Sequence, residues 1–412
     1  MRAPMSYLSK ILCAASAAFV LAACAEQATS PETPTSLPSG GTQPPVASAV
    51  KFWEASAAVG WNGIARGLTL AHQQPSPIHG QRIYAYLNLA IYDAVVAVED
   101  AAGHPSPQAA AGGAALTVLG FFFPADAAAL AQTLDAQESG LHWPGEQHSD
   151  FAAGEAIGRA IGQQVVAAIQ TDNFNAAFTG TYPTDPIHFW IPTPSVATVV
   201  LPGLKDMRPF FLTSADQFRP PPAPAVGTPE FDAALAEVGD IAANRTPEQM
   251  TAPLTLLFVT GTSGISGRWN QEATELIVSH HLNERRAAHV YALMHMAAMD
   301  AYIACWEAKF EYFVIRPTQA DPSITTIVGV PNHPSYPSGH SCTSGAASEV
   351  LAVLFPDARD QVRDLADAIG IARFWGGVHY RFDVEVGLTL GRTVAQYAAT
   401  QDVQGHEGYA IP

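Results

Sequence analysis

Apolar residues in this chain recur every three or four positions in a series of Ala-rich segments, and almost nowhere alternate singly with polar ones. Helical spacing runs through residues 81–101, 126–138, 149–171, 228–243, 284–310, 342–354, 357–372 and 383–400. That pattern predicts an all-α fold of packed helical bundles. At 412 residues and 48% hydrophobic composition, the chain has material for one large core or two smaller ones. The stretch 180–227 breaks the pattern with prolines, threonines and aromatics. It predicts a long irregular excursion that lies on the surface or covers an opening.

The N-terminus reads as a targeting segment. Arg2 and Lys10 precede an apolar run from Ile11 to Ala23 that ends Leu21-Ala22-Ala23-Cys24. A charged start, a short apolar middle and small residues at the end predict a secretory signal peptide over 1–23. The run falls short of the roughly 20 residues that a membrane span needs. Its ending resembles a bacterial lipobox. That implies lipidation of Cys24 and an exported protein held in the cell envelope by its lipid, at the outer membrane where the host has two. An ordinary signal peptide, with Cys24 incidental, is the alternative. Residues 24–47 are mostly Pro, Thr, Ser and Gly and predict a disordered tether. An N-terminal helical part, 48–227, and a C-terminal bundle, 228–412, follow.

A formal net charge of −17 argues against a nucleic-acid partner and against an electrostatic hold on anionic lipid. Membrane attachment would rest on the lipid anchor alone. Of the remaining cysteines, Cys13 lies in the signal segment. Cys305 and Cys342 are either a disulfide, which export permits, or two buried thiols.

Chemistry concentrates in three late clusters. They are Lys309 to Arg316-Pro317, then Tyr336-Pro337-Ser338-Gly339-His340, then Arg373 to His379 and Asp383. Lys309, Arg316 and Arg373 offer three fixed cations, and arginine forks match the paired oxygens of a tetrahedral anion. Pro337-Ser338-Gly339 opens a helix, whose N-terminus presents unpaired N–H groups to an anion. Ser338 adds a hydroxyl, and Gly339 permits close backbone approach. Two histidines complete the set, as nucleophile and general acid of a phosphatase or, in part, as the ligand of a vanadate.

The spacing K-x6-R-P, P-S-G-H and R-x5-H-x3-D resembles the signature shared by type 2 phosphatidic acid phosphatases, bacterial class A acid phosphatases and vanadium-dependent haloperoxidases. Ala372, before Arg373, departs from the serine often found there. The resemblance implies the helical fold of that group. It further implies that Lys309, Arg316 and Arg373 bind equatorial oxygens, with Ser338 and the Gly339 N–H adding hydrogen bonds. His379 would be the vanadium ligand or phosphorylated nucleophile, His340 the acid–base residue, and Asp383 the group that steadies His379.

Met296-Ala-Ala-Met-Asp300 through Trp306 to Lys309 resembles the bacterial haloperoxidase-like branch, as does Asn88-Leu-Ala-Ile-Tyr-Asp93. Trp306 and His333 fall at positions tied to the halide site in the chloroperoxidases and bromoperoxidases. They are alternatively a core aromatic and a loop histidine bonded to backbone. His333 implies that bromide and iodide are oxidised in preference to chloride, and brings a side chain that ordinarily titrates near neutrality. His280, His281, His289 and His295 lack ligand spacing and read as surface or satisfied core residues. Asp93 and Asp300 read as groups that hold helices or arginines.

Three readings follow. The first is a haloperoxidase that uses vanadate, hydrogen peroxide, halide and an organic acceptor. The second is an acid phosphatase that hydrolyses phosphomonoesters through a phosphohistidine, with no cofactor. The third is a non-catalytic envelope lipoprotein, which the intact six-residue pocket disfavours.

Overall fold

The computed structural model describes residues 56–99, 101–139, 146–256, 264–403 and 407–412. The signal segment, Cys24 and the tether lie outside them. Among the described residues there are thirteen α-helices and no strand, as the helical periodicity predicts. None of these helices is long and apolar enough to cross a membrane.

In chain order the helices are α1 (Ala57–Ala71), α2 (Pro77–Glu99), α3 (Pro107–Phe122), α4 (Ala127–Ser139) and α5 (Glu146–Ile169). After the irregular excursion come α6 (Pro229–Asn244), α7 (Pro247–Thr255), α8 (Gly264–Ser279), α9 (Glu284–Tyr312) and the single turn α10 (Pro317–Ala320). The last three are α11 (Gly339–Leu354), α12 (Arg359–Trp375) and α13 (Arg381–Thr400).

Helix α9 is the axis. It starts at Asn283, whose side chain accepts the Arg286 N–H, and stops at Phe313, which turns the chain through a left-handed residue with φ 47°. Between those caps it is buried on all sides from Ala287 to Phe310, which puts it inside the core rather than on a bundle's rim. α2 packs on one flank of it and α11 on another. A disulfide between Cys305 and Cys342 ties α9 to α11. This selects the first of the two states open to those cysteines.

Two helix pairs pack backbone to backbone through small residues. In the α3–α5 pair, a Cβ on Gly158 would stand 2.0 Å from the Ala110 carbonyl, and one on Gly113 would stand 2.4 Å from the Glu155 carbonyl. In the α11–α13 pair, Gly391 meets the Cys342 carbonyl at 2.0 Å and Gly345 meets that of Leu388 at 2.5 Å on the same construction. No side-chain shift relieves a clash with backbone, so the helices must separate. Gly391→Ala is therefore expected to lower stability by about 2 kcal/mol or more. Thermal melting checks this, and an unchanged midpoint would mean that the crossing is looser than it stands here.

The excursion 180–227 is irregular, apart from short 3₁₀ turns and one bridge between Phe189 and Val314. It wraps the C-terminal half of α9. The buried Asp300 carboxylate accepts the N–H groups of Phe210, Phe211 and Leu212 at 2.8, 2.7 and 3.0 Å. Arg219 pairs with Glu307, and the Tyr312 hydroxyl donates to the Pro220 carbonyl at 2.8 Å. Asp93 acts similarly on the Tyr409 N–H at 2.7 Å. Both aspartates thus hold backbone, where helices or arginines were anticipated.

Candidate active site

The three clusters converge at the end of α9 that faces the N-terminus of α11. Lys309 and Trp306 come from the last turns of α9. Arg316 follows the left-handed turn at Phe313. Ser338 caps α11, Arg373 lies in the last turn of α12, and His379 and Asp383 flank the start of α13.

Ser338 has extended backbone, and its Oγ accepts the Ser341 N–H at 3.4 Å. Its own N–H donates to the Asp383 carbonyl at 2.9 Å, which locks the cap to α13. The following N–H groups, of Gly339 and His340, belong to the first turn, whose donors have no acceptor in their own helix. A Cβ on Gly339 would stand 2.9 Å from the Trp306 ring, so only glycine lets this helix end lie against the indole.

His379 is held in one tautomer. Its Nδ1 lies 2.8 Å from the Asp383 Oδ2, which can only accept from it when ionised. Nε2 then carries the lone pair, and Arg316 Nη1 lies 3.2 Å from it. Asp383 Oδ2 also accepts from the Ser335 hydroxyl at 2.6 Å and the Tyr380 N–H at 3.1 Å. Burial raises this carboxyl to about 6, against the opposing pull of Ser335, Lys309, Arg316 and the Tyr380 N–H. The role of Ser335 was not read from the sequence. It precedes the Tyr-Pro-Ser-Gly-His run, and nothing in its residue type marks it.

Arg316 is fully buried. Its Nε donates to the His333 carbonyl at 2.9 Å, Nη1 to the Val378 carbonyl at 2.6 Å, and Nη2 to His333 Nδ1 at 3.0 Å. His333 Nδ1 also lies 3.1 Å from the Pro334 carbonyl. A guanidinium only donates and a carbonyl only accepts, so Nδ1 bonds one or the other according to its tautomer. Burial, then the charges of Lys309 and Arg316, hold His333 far below its ordinary range. It stays neutral, and the titration near neutrality that its residue type offers is closed to it.

Lys309 differs in detail from the expectation that it binds an anion's oxygens. All three of its N–H groups are directed at loop carbonyls, those of Pro334 at 2.8 Å, Ser335 at 2.9 Å and Pro337. It braces the loop leading into Ser338 and lends the pocket its charge from behind. Burial and the Arg316 charge push the ammonium well below its ordinary value.

Arg373 is the least satisfied of the cations. Only 6% exposed, it has a buried Nε that meets no acceptor among the described residues. Burial lowers it to about 10. Its side chain lines a cavity of about 260 Å³, together with Gly339, His340, His379, His333, Trp306 and Tyr302. His340 is kept neutral by burial and by the charges of Arg373, Lys309 and Arg316. His379 is likewise lowered, by burial and then by Arg316.

Trp306 serves packing and cavity together. Its Nε1 donates to the Val200 carbonyl at 3.0 Å, its ring stands 4.8 Å from that of His333, and Lys309 Nζ lies 5.5 Å from its centroid. His295 is a satisfied core histidine stacked on Tyr84 and bonded by Gln81 and Asn270. His289 pairs with Asp402, and His280 with Asp357.

The comparisons with known proteins agree with this geometry. Residues 288–404 match the model of the PAP2 superfamily. A vanadium-dependent bromoperoxidase of Ascophyllum nodosum is 31% identical over 18% of this chain and 19% of its own length. A lipid A 1-phosphatase of Rhizobium etli is 41% identical over 17% of this chain and 30% of its own. The matched stretches thus span about a fifth to a third of these curated relatives.

Solved structures resemble the chain over far more of its length. A bacterial vanadium-dependent iodoperoxidase superposes with TM-score 0.68 and 25% identity, covering 84% of this chain and 95% of that one. A bacterial vanadium-dependent chloroperoxidase gives TM-score 0.67 at 16% identity, covering 82% and 95%. The chain has the helical fold of the vanadium haloperoxidases, and its residues 288–404, which hold the whole pocket from Lys309 to Asp383, match the PAP2 superfamily.

Proposed function

We propose that this chain is a vanadium-dependent haloperoxidase-like enzyme that oxidises halide, bromide favoured, with hydrogen peroxide and passes the halogen to an organic acceptor. The observation that carries it is Arg373, a buried arginine on the cavity wall whose Nε meets no acceptor among the described residues. Burying such a donor unpaired is costly, and an oxyanion bound in the cavity would supply its partner. In sequence the two branches match nearly equal shares of the chain, 18% for a bromoperoxidase and 17% for a lipid A 1-phosphatase. The haloperoxidase branch is favoured by the likeness in fold, which covers 84% of the chain against an iodoperoxidase.

The residues suit vanadate. His379 Nε2 would ligate the metal, and Arg316, Arg373, Ser338 and the Gly339 N–H would hold its oxygens. Vanadate, when bound, supplies a Lewis-acidic centre that activates hydrogen peroxide toward halide. Asp383, when ionised, keeps the Nδ1 proton of His379 in place, so that Nε2 is the unprotonated nitrogen, and a ligand there would take the place of its contact with Arg316 Nη1. His340, neutral at working pH, is the base available to the proton that peroxide gives up. The three cations favour negative charge at the bound oxygens. Trp306 and the Nε2 edge of His333 would form a polar and aromatic wall for bromide.

A second reading rests on the same His379–Asp383 pair and on the phosphatase relative. There Nε2 attacks phosphorus as the P–O bond to the leaving group breaks, and His340, once charged through the presence of the bound dianion, would give its proton to the departing oxygen. One purified sample assayed both ways separates the two. Bromination of a phenol indicator with vanadate and peroxide is expected, faster with bromide than with chloride, alongside little hydrolysis of an aryl phosphate in vanadate-free buffer. Hydrolysis without any bromination would replace the first reading by the second.

A further inference from the structure

The cavity has two unlike ends. Its floor is polar, made by Arg373, His340 and His379. Its outer wall is apolar, built by Pro75, Pro77 and Ile78 from the start of α2 and the turn before it, facing Val200, Val328 and Pro331 from two irregular segments. These segments are fastened. The Asn332 carbonyl accepts the Val200 N–H at 3.1 Å, and its side chain accepts the Thr193 N–H at 2.8 Å and donates to the Ser195 carbonyl at 3.0 Å. The apolar wall is therefore a built surface rather than a loose lip.

We infer that this outer chamber binds a single aromatic-sized apolar group carried directly above the anion floor. The inference rests on the anion-site reading above and adds the class of organic substrate. Size sets the limit. Apolar cavities of about 150 Å³ accept benzene, and the whole space here is about 260 Å³. A tetrahedral oxyanion together with one ring fits within it. Tyr302 and Trp306, edge to face at 72° with centroids 5.7 Å apart, line the same cavity and offer ring faces and edges to an aromatic guest. For halide oxidation this group is the acceptor, held where halogen is delivered. For phosphate-ester cleavage it is the leaving group.

The test reads binding and needs no turnover. Phenylphosphonate and methylphosphonate carry the same head group, resist hydrolysis and differ in the apolar part. Calorimetric titration of the full chain is expected to show phenylphosphonate binding about tenfold to a hundredfold more tightly, the ring's burial adding to a shared anion contact. Val200→Trp and, separately, Val328→Phe should fill the chamber and erase that difference, leaving methylphosphonate affinity as it was. Equal affinities in the wild type would overturn the inference. So would a phenyl advantage that survives in both variants, since the ring would then sit elsewhere. If neither phosphonate binds, the anion floor itself is refuted and the chamber falls with it.

Discussion

Turnover is expected to fall by at least about a thousandfold in His379→Ala, in whichever of the two assays the wild-type chain is active. Nothing else in the cavity can take over. His333 Nδ1 is engaged by Arg316 Nη2 and the Pro334 carbonyl, and among the described residues no carboxylate fixes either His333 or His340 as Asp383 fixes His379. Anion affinity should change far less, because Arg316, Arg373, Ser338 and the α11 N-terminus survive the substitution. The expected signature is thus loss of catalysis with phosphonate or vanadate binding kept within about tenfold. Parallel rate measurements and calorimetry on the variant check it. Activity within tenfold of the wild type would remove both mechanisms, since each depends on that one nitrogen.

The parts of this site that were legible in the sequence are those whose residue types are costly without a ligand. Three cations and two histidines in a chain with only 14% charged residues announce themselves by spacing. Ser338 announces itself by standing where a helix must begin. What stayed hidden is the division of labour among the cations. Spacing places Lys309 beside the pocket, but only the fold shows its three protons turned to the carbonyls of Pro334, Ser335 and Pro337. Likewise nothing in sequence shows that burial, with the charges of Lys309 and Arg316, holds His333 well below its ordinary range, or that Ser335 reaches Asp383.

The fold was read unevenly for a related reason. Helices with one polar face, such as α6 and α12, declare their period. α3 did not, because it is buried almost all round and its Gly112-Gly113 looks like a break. Those glycines are instead contact points, Gly112 beside the Leu134 side chain and Gly113 against the α5 backbone at Glu155. α1, α7 and α8 were also missed. α8 is polar enough to pass for loop, although Trp269 and Asn270 are buried within it, the first donating to Ser344 at 3.0 Å and the second to Asn62 at 2.6 Å.

Arg373 gives the largest contrast between stability and function. Its guanidinium falls from 12.5 to about 10 through burial. A base whose folded pKa lies below its unfolded value weakens the fold wherever both states are charged, hence throughout the neutral range. Here the cost is on the order of 3 kcal/mol. Replacing it by methionine keeps much of the apolar stem and removes that charge. Arg373→Met is therefore expected to melt at or above the wild-type temperature in anion-free buffer. Adding orthovanadate or phosphate should reverse the order. The wild type should gain about 2.7 kcal/mol at a hundredfold excess over its dissociation constant, and the variant, lacking the wall donor, should gain little at the same concentration. Thermal melting with and without the anion reads both halves. A variant that melts well below the wild type without anion would show that Arg373 is held by protein contacts, and an undiminished anion shift would show that the oxyanion does not rest on it.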